Sequence, residues 1–212
     1  MRIRPAVRAD ARAIAEINVA GWRAAYRGLL PDGYLAALDV EERTARQLAH
    51  FAAPSAFRRL VAEDGDTVTG FVIYGPYRAE QDSAGPVDDT VGEILAIYVA
   101  PERWGAGTGQ ALMDAAVADL AGRGVTEIRL WVLAGNERSR RFYERYGFRH
   151  DGEVDTFVYD DGSGAGAPEV RYALVLTGSP DADGLRASAG GRPASAAGLP
   201  SSAEGAGSSA TG

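Results

Sequence analysis

One stretch constrains the chain more than any other: Ile94-Leu95-Ala96-Ile97-Tyr98-Val99, six residues with almost no polar interruption. A strand with one buried face alternates apolar and polar residues, so a continuous apolar run predicts a central strand covered on both faces. Just beyond it lies Trp104-Gly105-Ala106-Gly107-Thr108-Gly109-Gln110, whose glycines end the strand. Leu112, Ala116 and Leu120 then recur at helical spacing as far as Gly122 and Gly124, and Ile128, Leu130 and Val132 alternate as another strand. The segment reads as strand, glycine loop, helix, strand. Free amides where such a loop opens a helix suit a phosphate, with the helix dipole adding to the attraction. A flexible turn accounts for the same glycines. No Gly-Lys-Ser/Thr follows, and Gln110 breaks the spacing of a dinucleotide fingerprint, so neither familiar nucleotide site is expected.

The flanking sequence fills in the rest of the domain. Residues 2 to 6 predict a first strand, and Ile14, Ile17 and Gly21 a helix starting near Asp10. Gly28 and Pro31-Asp32-Gly33 separate it from a second, short helix, and residues 41 to 53 read as a third. Asp64-Gly65-Asp66 between the runs Arg59 to Glu63 and Thr67 to Tyr77 predicts a hairpin. Asn136 caps a last helix that Gly147 closes, with two more strands in 148 to 159 and 169 to 176. Loops are expected at about 78 to 90 and 160 to 168. The order is βααα-ββ-βαβα-ββ, a mixed α/β domain over residues 1 to 177. Residues 178 to 212 are Gly, Ser, Ala and Pro with few large apolar side chains, the composition of a disordered tail.

Composition narrows the chemistry. The chain has 212 residues, 46% of them hydrophobic, enough for one packed core. A formal net charge of -7 disfavours nucleic acid and anionic membranes as partners. With no cysteine there is no disulfide framework, thiolate nucleophile or Cys-ligated zinc, and the isolated His50 and His150 predict no metal site. No run is long enough to span a membrane, and Met1-Arg2-Ile3-Arg4-Pro5 lacks an apolar signal core, so a cytoplasmic protein is expected.

One strand after the glycine loop comes Asn136-Glu137-Arg138-Ser139-Arg140-Arg141-Phe142-Tyr143-Glu144-Arg145-Tyr146-Gly147-Phe148. With this second motif the chain resembles the GNAT superfamily of N-acetyltransferases over about residues 1 to 176. Residues 93 to 121 look like the family's acetyl-CoA-binding motif, and 136 to 148 like its Asn-x-x-(small)-x-x-Phe-Tyr-Glu-x-x-Gly-Phe motif. The resemblance implies a GNAT fold: a mixed, mostly antiparallel seven-stranded sheet with splayed strands 4 and 5 and helices on both faces. It also implies direct transfer from acetyl-CoA, without metal, to a small-molecule or peptide amine. Trp104 departs from the family, which usually has Gln or Arg there, while Arg103 stands one residue early. Phosphate binding is therefore expected from the backbone of Trp104 to Gln110.

The same resemblance suggests roles for single residues. Ile97 is the candidate for a strand bulge whose amide polarises the thioester carbonyl, with Val99 pairing to pantetheine and Tyr98 between them. Tyr143 matches the family's acid, turned to the slot while Phe142 packs inward. Asn136 and Ser139 lie beside the cofactor arm, and Arg138, Arg141 and Arg145 form either a 3′-phosphate contact or a solvated face. Glu93 is the leading candidate for the base that deprotonates the amine, with an exposed strand-end carboxylate as the alternative. Trp22, Tyr26 and Tyr77 are candidates for the acceptor wall; core packing for the first two and an ordinary strand end for the third remain open. A noncatalytic acetyl-CoA sensor would keep the loop and lose the proton-transfer groups. Any homo-oligomer is expected to be a dimer.

Overall fold

The computed structural model describes residues 1–78 and 89–176. Most of the loop expected at 78 to 90 and all of the tail expected from 178 lie outside the described residues. The elements are β1 (Arg2–Pro5), α1 (Ala11–Ala25), α2 (Asp32–Ala37), α3 (Val40–Ala52), β2 (Arg58–Asp64), β3 (Thr67–Pro76), β4 (Val91–Val99), α4 (Thr108–Ala121), β5 (Glu127–Leu133), α5 (Glu137–Tyr146), β6 (Arg149–Val158) and β7 (Gly166–Val175). This is the expected order. One boundary differs: β7 begins at Gly166, inside the stretch read as a loop, because pairing with β6 continues to Val158 and Gly166.

The seven strands lie in the order β1-β2-β3-β4-β5-β7-β6, with β4 and β5 parallel and every other neighbour antiparallel. Asp64 pairs with Thr67, leaving Gly65 and Asp66 as the two-residue hairpin loop, with Gly65 at φ +61°. Strand alternation divides the core. Phe71 and Ile73 of β3 pack with Ile14 and Ile17 of α1, while Val72 and Tyr74 pack with Leu112, Met113, Ala116 and Leu120 of α4. Helices therefore cover both faces of the sheet, and the apolar run on β4 is enclosed between them.

The feature that makes a site is a gap. Strands β4 and β5 pair only over Val91–Glu93 and Glu127–Arg129, although β4 continues six residues beyond Glu93 and β5 four beyond Arg129. From there they diverge. The register between β3 and β4 also shifts, since Tyr74 faces Ile94 and Ile73 faces Ala96, which leaves Leu95 as the extra residue. The bulge expected at Ile97 thus sits two residues earlier. It falls just past the last β4–β5 pair, where the added twist of a bulge turns β4 away from β5.

Candidate active site

The gap opens into a cavity of about 420 Å³. One wall is the open edge of β4. Ala100 donates its N–H to the Thr69 carbonyl on the β3 side at 2.9 Å, so alternation turns the N–H and C=O groups of Val99 and Ile97 to the other side, into the gap. The opposite wall is Trp131, Val132 and Leu133 of β5, with Asn136, Ser139, Phe142 and Tyr143 at and within α5.

The glycine loop closes one end. Gly105 and Gly107 have φ of +84° and +83°, a left-handed conformation in which a side chain is strained, and Gly107 is the N-cap of α4. The first-turn amides of α4 have no helical acceptor, and the first α4 bond is from Ala111 N–H to the Gly107 carbonyl at 3.0 Å. Gly105, Gly107, Gly109 and Gln110 line the cavity; Ala106 does not, and Thr108 is buried outside it. Trp104 folds back on the strand: its indole N–H donates to the Val99 carbonyl at 2.8 Å, and its ring carries the Arg138 guanidinium at 4.1 Å from the centroid. Arg138, Arg141 and Arg145 all line the cavity, and Arg103 joins them. This end is suited to polyanionic phosphates through both backbone amides and guanidinium groups.

Asn136 caps α5 by accepting the Ser139 N–H on Oδ1 at 3.1 Å, which leaves its NH₂ group for the cavity it lines. Tyr143 borders the cavity, as expected of a residue turned to the slot; Phe142 borders it too, and of the two Tyr143 is the more buried, at 8% exposure. Phe142, Phe148 and Tyr172 pack around the Tyr143 ring with centroids 5.4, 6.0 and 6.4 Å away. Burial pushes the Tyr143 phenol well above the ordinary tyrosine range, with Tyr98 adding to the shift.

Several expected site residues lie elsewhere. Glu93 is neither exposed nor in the cavity: it is 3% exposed, and its carboxylate takes the Arg78 guanidinium at 2.9 and 3.0 Å and the Arg78 backbone N–H at 3.1 Å. A carboxylate occupied by three donors has little capacity left to accept a substrate proton. Tyr77 also lies outside, its hydroxyl accepting from Arg171 at 3.2 Å and its ring under Arg129 at 5.0 Å. Glu93 pairs with Arg129 at the last β4–β5 position, so this cluster pins the closed end of the wedge.

Trp22 and Tyr26 separate. Trp22 is buried with Leu30, Leu35, Leu133 and Phe157 and borders a smaller cavity of about 160 Å³ on the α1–α3 side. Tyr26 stands edge-on to it at 5.0 Å and lines the main cavity, its hydroxyl 3.4 Å from that of Tyr98. The Tyr98 ring fits there because residue 21 is glycine: a Cβ at Gly21 would sit 2.9 Å from the ring.

Sequence reasoning missed Glu169. This β7 residue lines the main cavity at 5% exposure, and burial raises its carboxyl to a pKa of about 7. A charged residue inside Ala167 to Tyr172, where Ala167, Val170 and Tyr172 are all buried, was the signal available. Among the described residues no group of three or more His, Asp or Glu could hold a metal ion, and no helix is long and apolar enough to cross a membrane.

Comparison with known proteins places this geometry. A model described as "Acetyltransferase (GNAT) family" matches residues 22–148. The chain is 31% identical to "Uncharacterized N-acetyltransferase YuaI" of Bacillus subtilis over 87% of this chain and 95% of that protein. It is 30% identical to "Probable N-acetyltransferase Rv2775" of Mycobacterium tuberculosis over 85% of this chain and 97% of that one. Among solved structures, the PaiA N-acetyltransferase of Thermoplasma acidophilum in complex with coenzyme A superposes with a TM-score of 0.65 at 20% identity, covering 82% of this chain and 98% of that chain.

Proposed function

The chain belongs to the acetyltransferase (GNAT) family, and from that premise we propose that it moves the acetyl group of acetyl-CoA directly onto a primary amine bound with it in the β4–β5 cavity. The observation that carries this reading is the run of the cavity, from the glycine loop and its arginines along the open edge of β4 to Tyr143.

The loop amides and Arg103, Arg138, Arg141 and Arg145 receive the phosphates. The Ile97 N–H and C=O and the Val99 N–H take the pantetheine arm in place of the strand that β5 fails to supply, the Val99 carbonyl being held by the Trp104 indole. A β4 amide aimed at the thioester carbonyl stabilises the oxyanion that forms when the amine attacks. The C–N bond forms, the C–S bond breaks, and Tyr143 gives its proton to the departing sulfur, which makes the thiolate a better leaving group. A tyrosine phenol is protonated at neutral pH, the state an acid needs, and burial holds it there.

Thermal unfolding with acetyl-CoA, ATP and NAD tests the reading. A ligand that binds only the folded state at a hundred times its Kd adds about 2.7 kcal/mol, which raises Tm by roughly 5–10 °C in a domain of this size. Acetyl-CoA is expected to produce that rise and the other two none. The absence of a shift with acetyl-CoA at about 1 mM would sink the proposal.

A further inference from the structure

Glu169 is a buried carboxylate with no ion pair or hydrogen bond to its side chain among the described residues. Such a group destabilises a fold unless it is protonated or paired, so a purely structural role is served better by an uncharged side chain. Its position is specific. Glu169 pairs with Leu133, and the parallel register carried forward from Glu93 and Arg129 brings Leu133 about level with Ile97 across the gap. The carboxylate therefore borders the cavity opposite the β4 edge, on the face of Ala167 and Leu133 that packs toward α1, away from the arginines at the loop. Tyr26 from α1, Tyr98 from β4 and Tyr143 from α5 line the same cavity. Asp155 of β6 is its cross-strand neighbour, Arg78 beyond β3 acts on it from a distance, and Arg171 on its own strand is engaged by Asp151 and Tyr77.

We propose that Glu169 receives the acceptor: its carboxylate pairs with the ammonium of a cationic primary amine and takes its proton before attack. The inference rests on the acetyltransferase reading above. An alkylammonium has no lone pair, so one proton must leave nitrogen before the C–N bond can form. Glu169 accepts that proton and the freed lone pair attacks the thioester carbonyl. As the C–S bond breaks, Tyr143 protonates the sulfur, and the second proton lost by nitrogen restores Tyr143. Glu169 then releases its proton to water, so each turnover yields amide, CoA thiol and one proton. The carboxyl, raised to about 7 by burial and by Asp155 against the pull of Arg78, is ionised in a useful fraction at neutral pH and close enough to it to return the proton.

The test measures CoA release by the full chain with 2-phenylethylamine, spermidine and a lysine-containing peptide from pH 5.5 to 9.5, for the parent and Glu169→Gln. The parent's kcat/KM is expected to rise through pH 7 and then level. Glu169→Gln is expected to lose about 10²–10³-fold at pH 7 and to recover steadily with pH, because it depends on free amine from solution. The stabilisation by acetyl-CoA is expected to be the same in both, which separates loss of the base from loss of the fold. A variant within threefold of the parent at pH 7, or one that keeps the parent's pH profile, overturns the proposal, as does a parent that binds acetyl-CoA and acetylates none of the three cations. If acetyl-CoA fails to stabilise either protein, the acetyltransferase reading itself falls.

Discussion

Two carboxylates on the sheet show how much a residue's neighbours decide. Glu93 and Glu169 are both buried, but Glu93 is held by Arg78 and Glu169 faces the cavity. Tyr143 is the residue where chemistry and packing overlap, since its ring fills space among Phe142, Phe148 and Tyr172 while the ring also borders the cavity. Tyr143→Phe keeps the ring and removes only the hydroxyl. It is expected to retain the acetyl-CoA-dependent rise in Tm while CoA release slows by about 10²-fold, within the range for loss of a general acid. A variant with the parent's turnover would assign the acid elsewhere.

At the scale of elements, the site is made by what β4 does at each end. At Leu95 a bulge accompanies its departure from β5, and beyond Val99 a loop with two left-handed glycines lines the cavity and turns the chain into α4, whose first-turn amides have no helical acceptor. Nothing lies within 4 Å of a Cβ built on Gly107, so Gly107→Ala meets no steric obstacle and its cost is conformational. Holding alanine at φ +83° is expected to destabilise the protein by about 1 kcal/mol. If α4 relaxes its first turn to relieve that strain, acetyl-CoA affinity falls as well. Calorimetry with acetyl-CoA and a denaturant titration measure the two effects separately; unchanged values in both would mean that the left-handed turn matters to neither.

Across the whole molecule, the chain carries a net charge of -7, yet among the described residues the main cavity gathers Arg103, Arg138, Arg141 and Arg145 against one carboxylate, Glu169. That carboxylate has a consequence for global stability. The Glu169 carboxyl has a folded pKa of about 7 against an ordinary 4.5, so between those values the folded state holds a proton that the unfolded state has released. Its favourable contribution is complete below the ordinary value and is lost as pH rises through about 7. Glu169→Gln removes this dependence. From pH 5 to pH 8 the parent is expected to lose on the order of 1–3 kcal/mol more than the variant, read as the difference between their unfolding free energies. Parallel curves would mean that the carboxyl is solvated or paired.

Residues 93 to 148 were legible because their signals are local. A continuous apolar run, glycines at a helix start, Asn136 at an N-cap and Gly147 at a helix end each act through neighbours a few positions away in the chain. The order of elements and the mixed sheet followed from those signals together with the family resemblance. The position of the bulge, the partner of Glu93 and the exposure of Glu169 to the cavity depend on contacts between segments far apart: Arg78 with Glu93, Leu133 with Glu169, and Trp104 with Arg138. A carboxylate on a strand reads the same in sequence whether an arginine or a cavity lies opposite. By itself the sequence determined the scaffold and its glycine loop at a helix start; the tertiary structure alone decided which carboxylate borders the cavity and which is held by an arginine, because burial and pairing are properties of the folded chain.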